Sequence, residues 1–514
     1  MYLSISQITE FSRALTIVPA RNPHYVVQKL SWDTRQFYPD MLFMALKGEK
    51  LDGNDYIIDA LEKGAAVVIA SRQANEAERH AARQKGAALL YAADGVKALQ
   101  QLAFEYRKTL NTQVIGITGS SGKTSTRQFV SAVTEKARIT VASLANRNNE
   151  IGLPATVLSA SPSCEVLVLE MAMRGLGQIA ELCAIALPQI GIVTNIGTAH
   201  LELLGTRENI ARAKAELIEA LPNNEGIAIL NGDDPYTPLV RELALTESRA
   251  VKTITFGIES HNDVRGEFIE YNQTGCPTFD LVLPDRKPQR VQIAVAGRHS
   301  VYNALAAATA GYCLGIDTER IISALGKVRS APMRQVNHTL VDGTQLIDDT
   351  YNANPDSMKA SLEVLSRLDK SRLHIAVLGD MGELGPDEAA LHREVGEFAW
   401  QSGVDVLITF GDLAHNYALG VLQAATQTAR QGTAAHAATQ TARQVGLDLP
   451  KIINCSQIEE MHQILSVYRA QKPIILIKGS RFMALERLVE KLLESHTSSV
   501  LTSDSAHNRE LDTV

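Results

Sequence analysis

Short apolar runs that stop abruptly at polar residues recur along the whole chain. "VLVLEMAM" from Val166, "IGIVTNIG" from Ile190 and "GIAILNGDD" from Gly226 are rich in β-branched residues and end on Glu, Asn or Asp. Runs of this kind read as strands of a parallel sheet buried on both faces, and the polar residues mark the carboxyl edge. Open α/β sheets bind ligands at that edge. The pattern repeats upstream: "DMLFMALKG" predicts a strand and a glycine turn, and "YIIDALEKGAAVVIAS" a helix, a Gly64 cap and a buried strand. It repeats again downstream in "TQLIDDTYNANP", "HIAVLGDMGELG", "VDVLITFGD" and "PIILIKGSR".

This alternation predicts an α/β protein of three domains: a small α/β domain over 1–108, a central parallel-sheet domain over 109–328 and a Rossmann-like α/β domain over 329–495. A length of 514 residues agrees with about three domains. Between Val421 and Gln444 the octapeptide "AATQTARQ" occurs twice, from Ala424 and from Ala437. Its alanine content predicts a surface helix or insertion without chemistry. Residues 496–514 are rich in Ser, Thr and Asp and are expected to be disordered.

Composition narrows the classes. With 45% hydrophobic and 21% charged residues the chain is globular, and a net charge of −7 removes any global electrostatic case for nucleic acid or membrane surfaces. Five scattered cysteines lack metal-type spacing and fit a reducing compartment. No secretory leader and no apolar stretch long enough to span a bilayer is legible, so a cytoplasmic protein is expected.

The densest chemistry lies in Val114 to Ser125, "VIGITGSSGKTS". A buried strand runs into a glycine-rich turn and then a helix. Gly119 and Gly122 let successive N–H groups turn inward, and the helix N-terminus adds positive potential. Lys123 suits the outer phosphates of a nucleotide, and the Thr124 hydroxyl suits Mg²⁺. The strict phosphate-loop pattern wants glycine where Ile117 stands, so this is a variant loop. Glu170 ends the next strand and is placed to bind Mg²⁺. His200 and Lys214 carry little weight alone, since a loop histidine is more often structural and a helical lysine more often solvated. "NRNNEIG" (Asn146 to Gly152) fits either an uncharged polar ligand or a plain turn. His299 and Asn303 share a helix face. "DDTYNANPDSM", "GDMGELG" and "KGSR" are polar loops that follow strands of the third domain, which argues for a ligand face there.

These motifs, in this order, resemble the Mur ligase family of ATP-dependent amide-forming enzymes. The resemblance runs through "DTRQFYPDMLFMALKGEKLDGNDYI", "TGSSGKTS", "NRNNEIGLP", "GRHSVYNALAA", "DDTYNANPDSM", "VLGDMGELG" and "KGSR". It covers nearly the whole chain apart from the repeat and the tail. Two positions depart: Thr34 stands where serine is usual, and Asn54 where histidine is common. Within the family the likeness is greatest to members that join D-alanyl-D-alanine to UDP-N-acetylmuramoyl-tripeptide. It implies a uridine-binding first domain, a phosphate-loop ATPase domain and a C-terminal ligase domain.

The implied roles follow residue by residue. Thr34, Arg35 and Lys47 would serve the uridine side, and Asn146, Asn148 and Asn149 the muramoyl peptide. Gly119, Ser120, Ser121, Gly122, Lys123, Thr124 and Ser125 would hold ATP phosphates, with Arg334 reaching them. His299 and Asn303 would face adenine, and Asp349 the ribose or adenine side. Tyr351, Asn352 and Asn354 would line the inter-domain cleft. Thr124, Glu170 and His200 would serve one or two Mg²⁺ ions, joined by Lys214 if it carries a carbamate. Lys123, His200, Lys214 and Arg334 would carry the catalysis. The partners would be the two small-molecule substrates, with no nucleic acid, no membrane insertion and a monomeric enzyme. A sister ligase of the same fold, a folylpolyglutamate synthetase, or a phosphate-loop kinase or NTPase are the competing readings.

Overall fold

The computed structural model describes residues 1–514 except 49, 145, 246–249, 433–448 and 495–514. Three large sheets organise these residues, each following one block of the sequence alternation. The first has five strands in the order Leu15–Val18, Ala88–Tyr91, Val67–Ala70, Leu42–Ala45, Leu30–Ser31, parallel except for the pair at the Leu15–Val18 edge. Gly64 takes φ +88° between the Ile57–Glu62 helix and the strand at Val67, as a left-handed cap requires.

The central sheet has nine strands. Its phosphate-loop strand, Gln113–Thr118, lies between Val166–Glu170 and Ile190–Val193, and both pairs are parallel. The chain leaves this strand toward one edge of the sheet and later returns on its other side. That reversal opens a crevice at the carboxyl ends of the strands, and the glycine loop empties into it. Sequence reading predicts a parallel sheet here; the structure adds an antiparallel edge of Val264–Tyr271, Pro277–Val282 and Gln289–Gln292. These strands alternate buried and exposed positions, so they lack the continuous apolar runs that betray the interior strands.

The third sheet runs Val336–Thr339, Gln345–Asp349, Ile474–Lys478, His374–Gly379, Val406–Phe410, Lys451–Cys455, parallel beyond its first strand. The first "AATQTARQ" begins within the helix His415–Gly432, while the second copy and the tail lie outside the described residues.

One apolar core passes without a break from the first sheet to the central one. It includes Leu42, Leu99 and Tyr106 on one side and Val114, Leu167 and Leu217 on the other. Tyr106 seals the junction by donating its hydroxyl to the Ala160 carbonyl at 2.7 Å. Fewer apolar contacts join the third sheet to the rest: Val364 packs with Cys276 and Ala296 in a small separate cluster. All five cysteines are free. Among the described residues no helix is long and apolar enough to cross a membrane.

Candidate active site

The Gly119–Gly122 turn is shaped by two backbone conformations, φ +150° at Gly119 and +76° at Gly122. Neither accepts a side chain. A Cβ on Gly119 would stand 1.8 Å from Thr194 Oγ1, and one on Gly122 would stand 2.8 Å from Asn303 Oδ1. The turn is braced by the neighbouring strand end. Ser120 and Ser121 donate their N–H groups to the Asn195 carbonyl and Oδ1, each at 3.0 Å. Thr194 Oγ1 donates to the Ser121 carbonyl at 2.7 Å. Lys123 begins the helix Lys123–Thr134 and folds back to donate to the Gly119 carbonyl at 2.7 Å. Burial pushes its ammonium below the ordinary lysine range; Glu170 opposes that shift and Arg334 adds to it.

Glu170 is register partner of Ile117, so the sheet itself carries its carboxylate to the loop. Thr124 Oγ1 donates to Glu170 Oε2 at 3.0 Å, and Asn148 Nδ2 donates to Oε1 at 2.9 Å. Arg127 Nε stands 3.7 Å from Oε2. A buried hydroxyl and a buried carboxylate thus sit side by side at the mouth of the phosphate loop, the oxygen donors that Mg²⁺ takes alongside phosphate and water. No group of three His, Cys, Asp or Glu side chains forms a metal cage among the described residues. The Thr124–Glu170 oxygen pair fits an ion that shares its shell with a nucleotide, as Mg²⁺ usually does.

His200 takes φ +64° just before the short helix Leu201–Leu204. Its Nδ1 lies 2.6 Å from Glu383 Oε2, a residue of the third domain. Burial holds its imidazole below the ordinary histidine value, with Glu383 opposing and Lys123 and Lys214 reinforcing that effect. Lys214 lies in the helix Arg207–Glu219 and is 1% exposed. The solvated reading of a lone helical lysine is thus corrected. The helix period places residue 214 on the inward stripe with Ile210, Leu217 and Ile218. Burial, with Lys123 as the nearby like charge, drives its ammonium well below the lysine range.

From the opposite side the third domain brings a second polar group. The registers of Gln345–Asp349 and Ile474–Lys478 set Asp349 beside Lys478, and their charges meet at 2.7 Å. Ser361 Oγ donates to the same carboxylate at 2.6 Å. Arg334 lies in the crossing between domains, flanked by left-handed Met333 (φ +60°) and Gln335 (φ +52°), and stacks 4.0 Å from the Tyr351 ring centroid. Asn303 accepts from Thr126 Oγ1 at 3.0 Å. His299, one turn earlier, is also held below the usual histidine value by burial.

A cavity of about 1060 Å³ gathers these groups. Its wall includes Ser120 to Ser125, Asn146, Asn148, Glu170, His200, His299, Asn303, Arg334, Asp349, Tyr351, Asn352 and Asn354. Gly119, Asn149 and Lys214 do not line it; Asn149 accepts from the Gly152 N–H at 3.0 Å at the start of the following helix. Thr34, Arg35 and Lys47 are not brought to it. Thr34 is buried and Lys47 exposed in the first domain, and Arg35 spends its guanidinium on Asp33 at 2.8 Å. The first domain does reach the Asn146–Gly152 loop through Arg147, whose guanidinium stacks 5.5 Å from the Trp32 ring centroid. Sequence reading missed Asn195, Asp356 and Glu383 as site residues. Only the position of each at a strand end or helix start signalled them.

Three family models match the chain: Mur ligase family, catalytic domain, over residues 26–107; Mur ligase middle domain over 117–311; and Mur ligase, glutamate ligase domain, over 333–481. The chain belongs to the Mur ligase family. The UDP-N-acetylmuramoyl-tripeptide--D-alanyl-D-alanine ligase of Bacillus subtilis is 33% identical over 481 residues, covering 93% of this chain and 96% of that protein. Its counterpart of the same name in Escherichia coli is 30% identical over 507 residues, covering 96% and 99%. Among solved structures, MurF from Acinetobacter baumannii superposes with a TM-score of 0.81 at 27% identity, covering 96% of this chain and 99% of that one. MurF from Thermotoga maritima, solved in complex with ADP, superposes with a TM-score of 0.75 at 27% identity, covering 92% and 99%. The three-domain α/β fold expected from the sequence, and implied by the resemblance, is the fold observed.

Proposed function

We propose that this chain is an ATP-dependent ligase that joins D-alanyl-D-alanine to UDP-N-acetylmuramoyl-tripeptide, producing the pentapeptide precursor of peptidoglycan with ADP and phosphate. The observation that carries the reading is convergence. A braced phosphate loop, a Thr124–Glu170 pair and residues of the third domain share one cavity, in a chain that matches the two full-length ligases across almost its whole length.

A carboxylate is a poor electrophile, and amide formation in water is uphill. In the proposed reaction the terminal carboxylate oxygen of the tripeptide forms a bond to the γ-phosphorus of ATP while the bond to the β,γ-bridging oxygen breaks and ADP leaves. The neutral amine of the dipeptide then adds to the acyl carbonyl, phosphate departs with the electron pair, and the amine releases a proton. The protein's task is to position and to neutralise charge. Lys123, freed from the Gly119 carbonyl, reaches the γ-phosphate, and Arg334 offsets the charge from the inter-domain side. N–H groups of Gly122 to Ser125 cradle phosphate oxygens. His299 and Asn303 serve the adenine end, and Asp349 the ribose or adenine side, fixed by Lys478.

Thr124, Glu170 and His200 are the residues that would hold Mg²⁺, which when bound neutralises phosphate charge and polarises the γ-phosphoryl group. Lys214 lies close enough to His200 to lower it and to Lys123 to be lowered by it, and its burial favours the neutral amine that CO₂ carbamylates. As a carbamate it would bring a negative charge to that cluster. Asn146, Asn148, Tyr351, Asn352 and Asn354 line the substrate portion of the cavity, and Asn149 holds the loop that presents the first two. Thr34, Arg35 and Lys47 receive the uridine end. The enzyme acts as a cytoplasmic monomer.

Phosphate release from Mg-ATP, measured with UDP-N-acetylmuramoyl-tripeptide and with or without D-alanyl-D-alanine, tests the reading when product mass is followed. Release that needs both substrates and yields the pentapeptide mass is expected. Turnover with a single amino acid would make the chain a sister ligase, and release without an acceptor an NTPase.

A further inference from the structure

The loop Asn195 to His200 follows the strand Ile190–Val193 and is gripped on two sides. On its inner side it holds the phosphate loop: Asn195 accepts from Ser120 and Ser121, and the Gly197 N–H donates to Ser120 Oγ at 2.8 Å. On its outer side two carboxylates of the third domain seat on it. Asp356, in the first turn of the helix Pro355–Arg367, accepts from the Thr198 N–H at 3.1 Å and from its hydroxyl at 3.3 Å. Glu383 places Oε2 2.6 Å from His200 Nδ1 and Oε1 3.4 Å from Arg174 Nη2, and its carbonyl accepts from the Glu202 N–H at 3.3 Å. The approach is close enough to demand glycine: a Cβ on Gly197 would lie 2.2 Å from Asp356 Oδ2.

Glu383 is also presented from a rigid turn. Its backbone is left-handed at φ +61°. Just before it, the Gly382 N–H donates to Ser480 Oγ at 2.9 Å and the Met381 N–H to His392 Nε2 at 3.0 Å. The carboxylate is therefore aimed by its own domain before it meets the other.

We infer that Glu383 is a positioning residue that fixes His200 only when the third domain is seated, so that the Asn195–His200 loop transmits domain docking to the phosphate loop. This rests on the ligase reading above. Residues of the central domain alone build the phosphate loop, whereas His200 Nδ1 meets a carboxylate that arrives with the other domain. A carboxylate that orients a functional imidazole is the kind of outer partner whose loss costs 10–100-fold in related settings.

The test uses the full-length chain and the variants Glu383→Ala, Glu383→Gln, His200→Ala and the double variant Glu383→Ala/His200→Ala. Glu383 is 40% exposed at its side chain, so thermal unfolding of E383A is expected to match the parent. The expected result has three parts. ADP binding, measured by calorimetry, changes less than threefold in E383A. The kcat of E383A falls about 10- to 100-fold, with KM for ATP little moved. The double variant is no slower than H200A, because Glu383 acts through His200. Independent, multiplying losses in the double variant would overturn the inference, as would E383A turning over within twofold of the parent. Small-angle scattering with an ATP analogue and both substrates supplies a readout apart from turnover. The compaction of the parent is expected to be weakened in E383A and further in Glu383→Ala/Asp356→Asn; undiminished compaction in the latter would also overturn it. A parent chain that binds ADP yet makes no pentapeptide would instead defeat the ligase reading, leaving the scattering comparison to judge the docking contact.

Discussion

Two lysines are almost wholly buried among the described residues, one in the third domain and one in the central domain, at 2% exposure for Lys478 and 1% for Lys214. Lys478 is surrounded by acceptors. Asp349 Oδ2 stands at 2.7 Å, and the Asn352 carbonyl accepts at 2.9 Å. Among the described residues no carboxylate opposes the desolvation of Lys214; the charge that acts on it is Lys123, of the same sign. A buried cation with its partners satisfied is a strut. One without them is driven toward the neutral amine, a nucleophile rather than a charge. The same residue type at similar burial therefore does different work, and the partner decides which.

The largest effect that would break this contrast is in stability. Lys478→Met leaves Asp349 buried without its cation and is expected to destabilise the third domain by about 3–5 kcal/mol. Trp400 reports on that domain, so urea unfolding in a Trp32→Phe background isolates its transition. Asp349→Asn combined with Lys478→Met should recover most of the loss; no recovery would mean that packing, not pairing, holds Lys478.

Lys214→Ala should show the reverse profile. A fall in kcat of about 100-fold is expected with no loss of stability. Stripping CO₂ from the buffer should lower the parent's activity and leave the variant unchanged. Equal sensitivity in both would remove the carbamate from the account.

A smaller effect lies in the pH dependence of stability. Because the folded-state value of Lys214 is depressed, the unfolded chain binds more protons between that value and 10.5. Stability then rises with pH across the window, and the burial penalty persists in full below the folded value. Lys214→Met should flatten that rise. The difference between parent and variant unfolding midpoints, followed from pH 7 to pH 10, reads it directly.

Smallest of all is the exposed pair Arg35–Asp33, whose arginine side chain is 84% exposed. Arg35→Ala should leave the unfolding midpoint unchanged, as solvated ion pairs usually do. It should raise the KM for the UDP-sugar substrate. A shift in stability without a shift in KM would show that Arg35 serves its own turn rather than the substrate.

Much of the molecule is legible in the chain. The apolar runs from Val166, Ile190 and Gly226 became interior strands because continuous β-branched burial permits little else. The antiparallel edge from Val264 to Gln292 was not legible, since its half-exposed strands carry a diluted pattern. Lys214 is the instructive middle case. The spacing with Ile210 and Ile218 already put it on the apolar face, but a lysine at such a position reads as an interruption until its burial is seen.

By itself the sequence determined the glycine turn, the strand ends that bear Glu170 and Asp349, the helix that bears His299 and Asn303, and the family. These are local properties: backbone freedom, period and the polar residue at which a strand stops. Only the tertiary structure decided that Asp349 answers Lys478, that Lys123 is the charge facing Lys214, and that Glu383 crosses to His200. Each of these is a pairing across tens or hundreds of residues. Sheet register and the seating of one domain on another set such pairings, and neither is written in any local pattern of the chain.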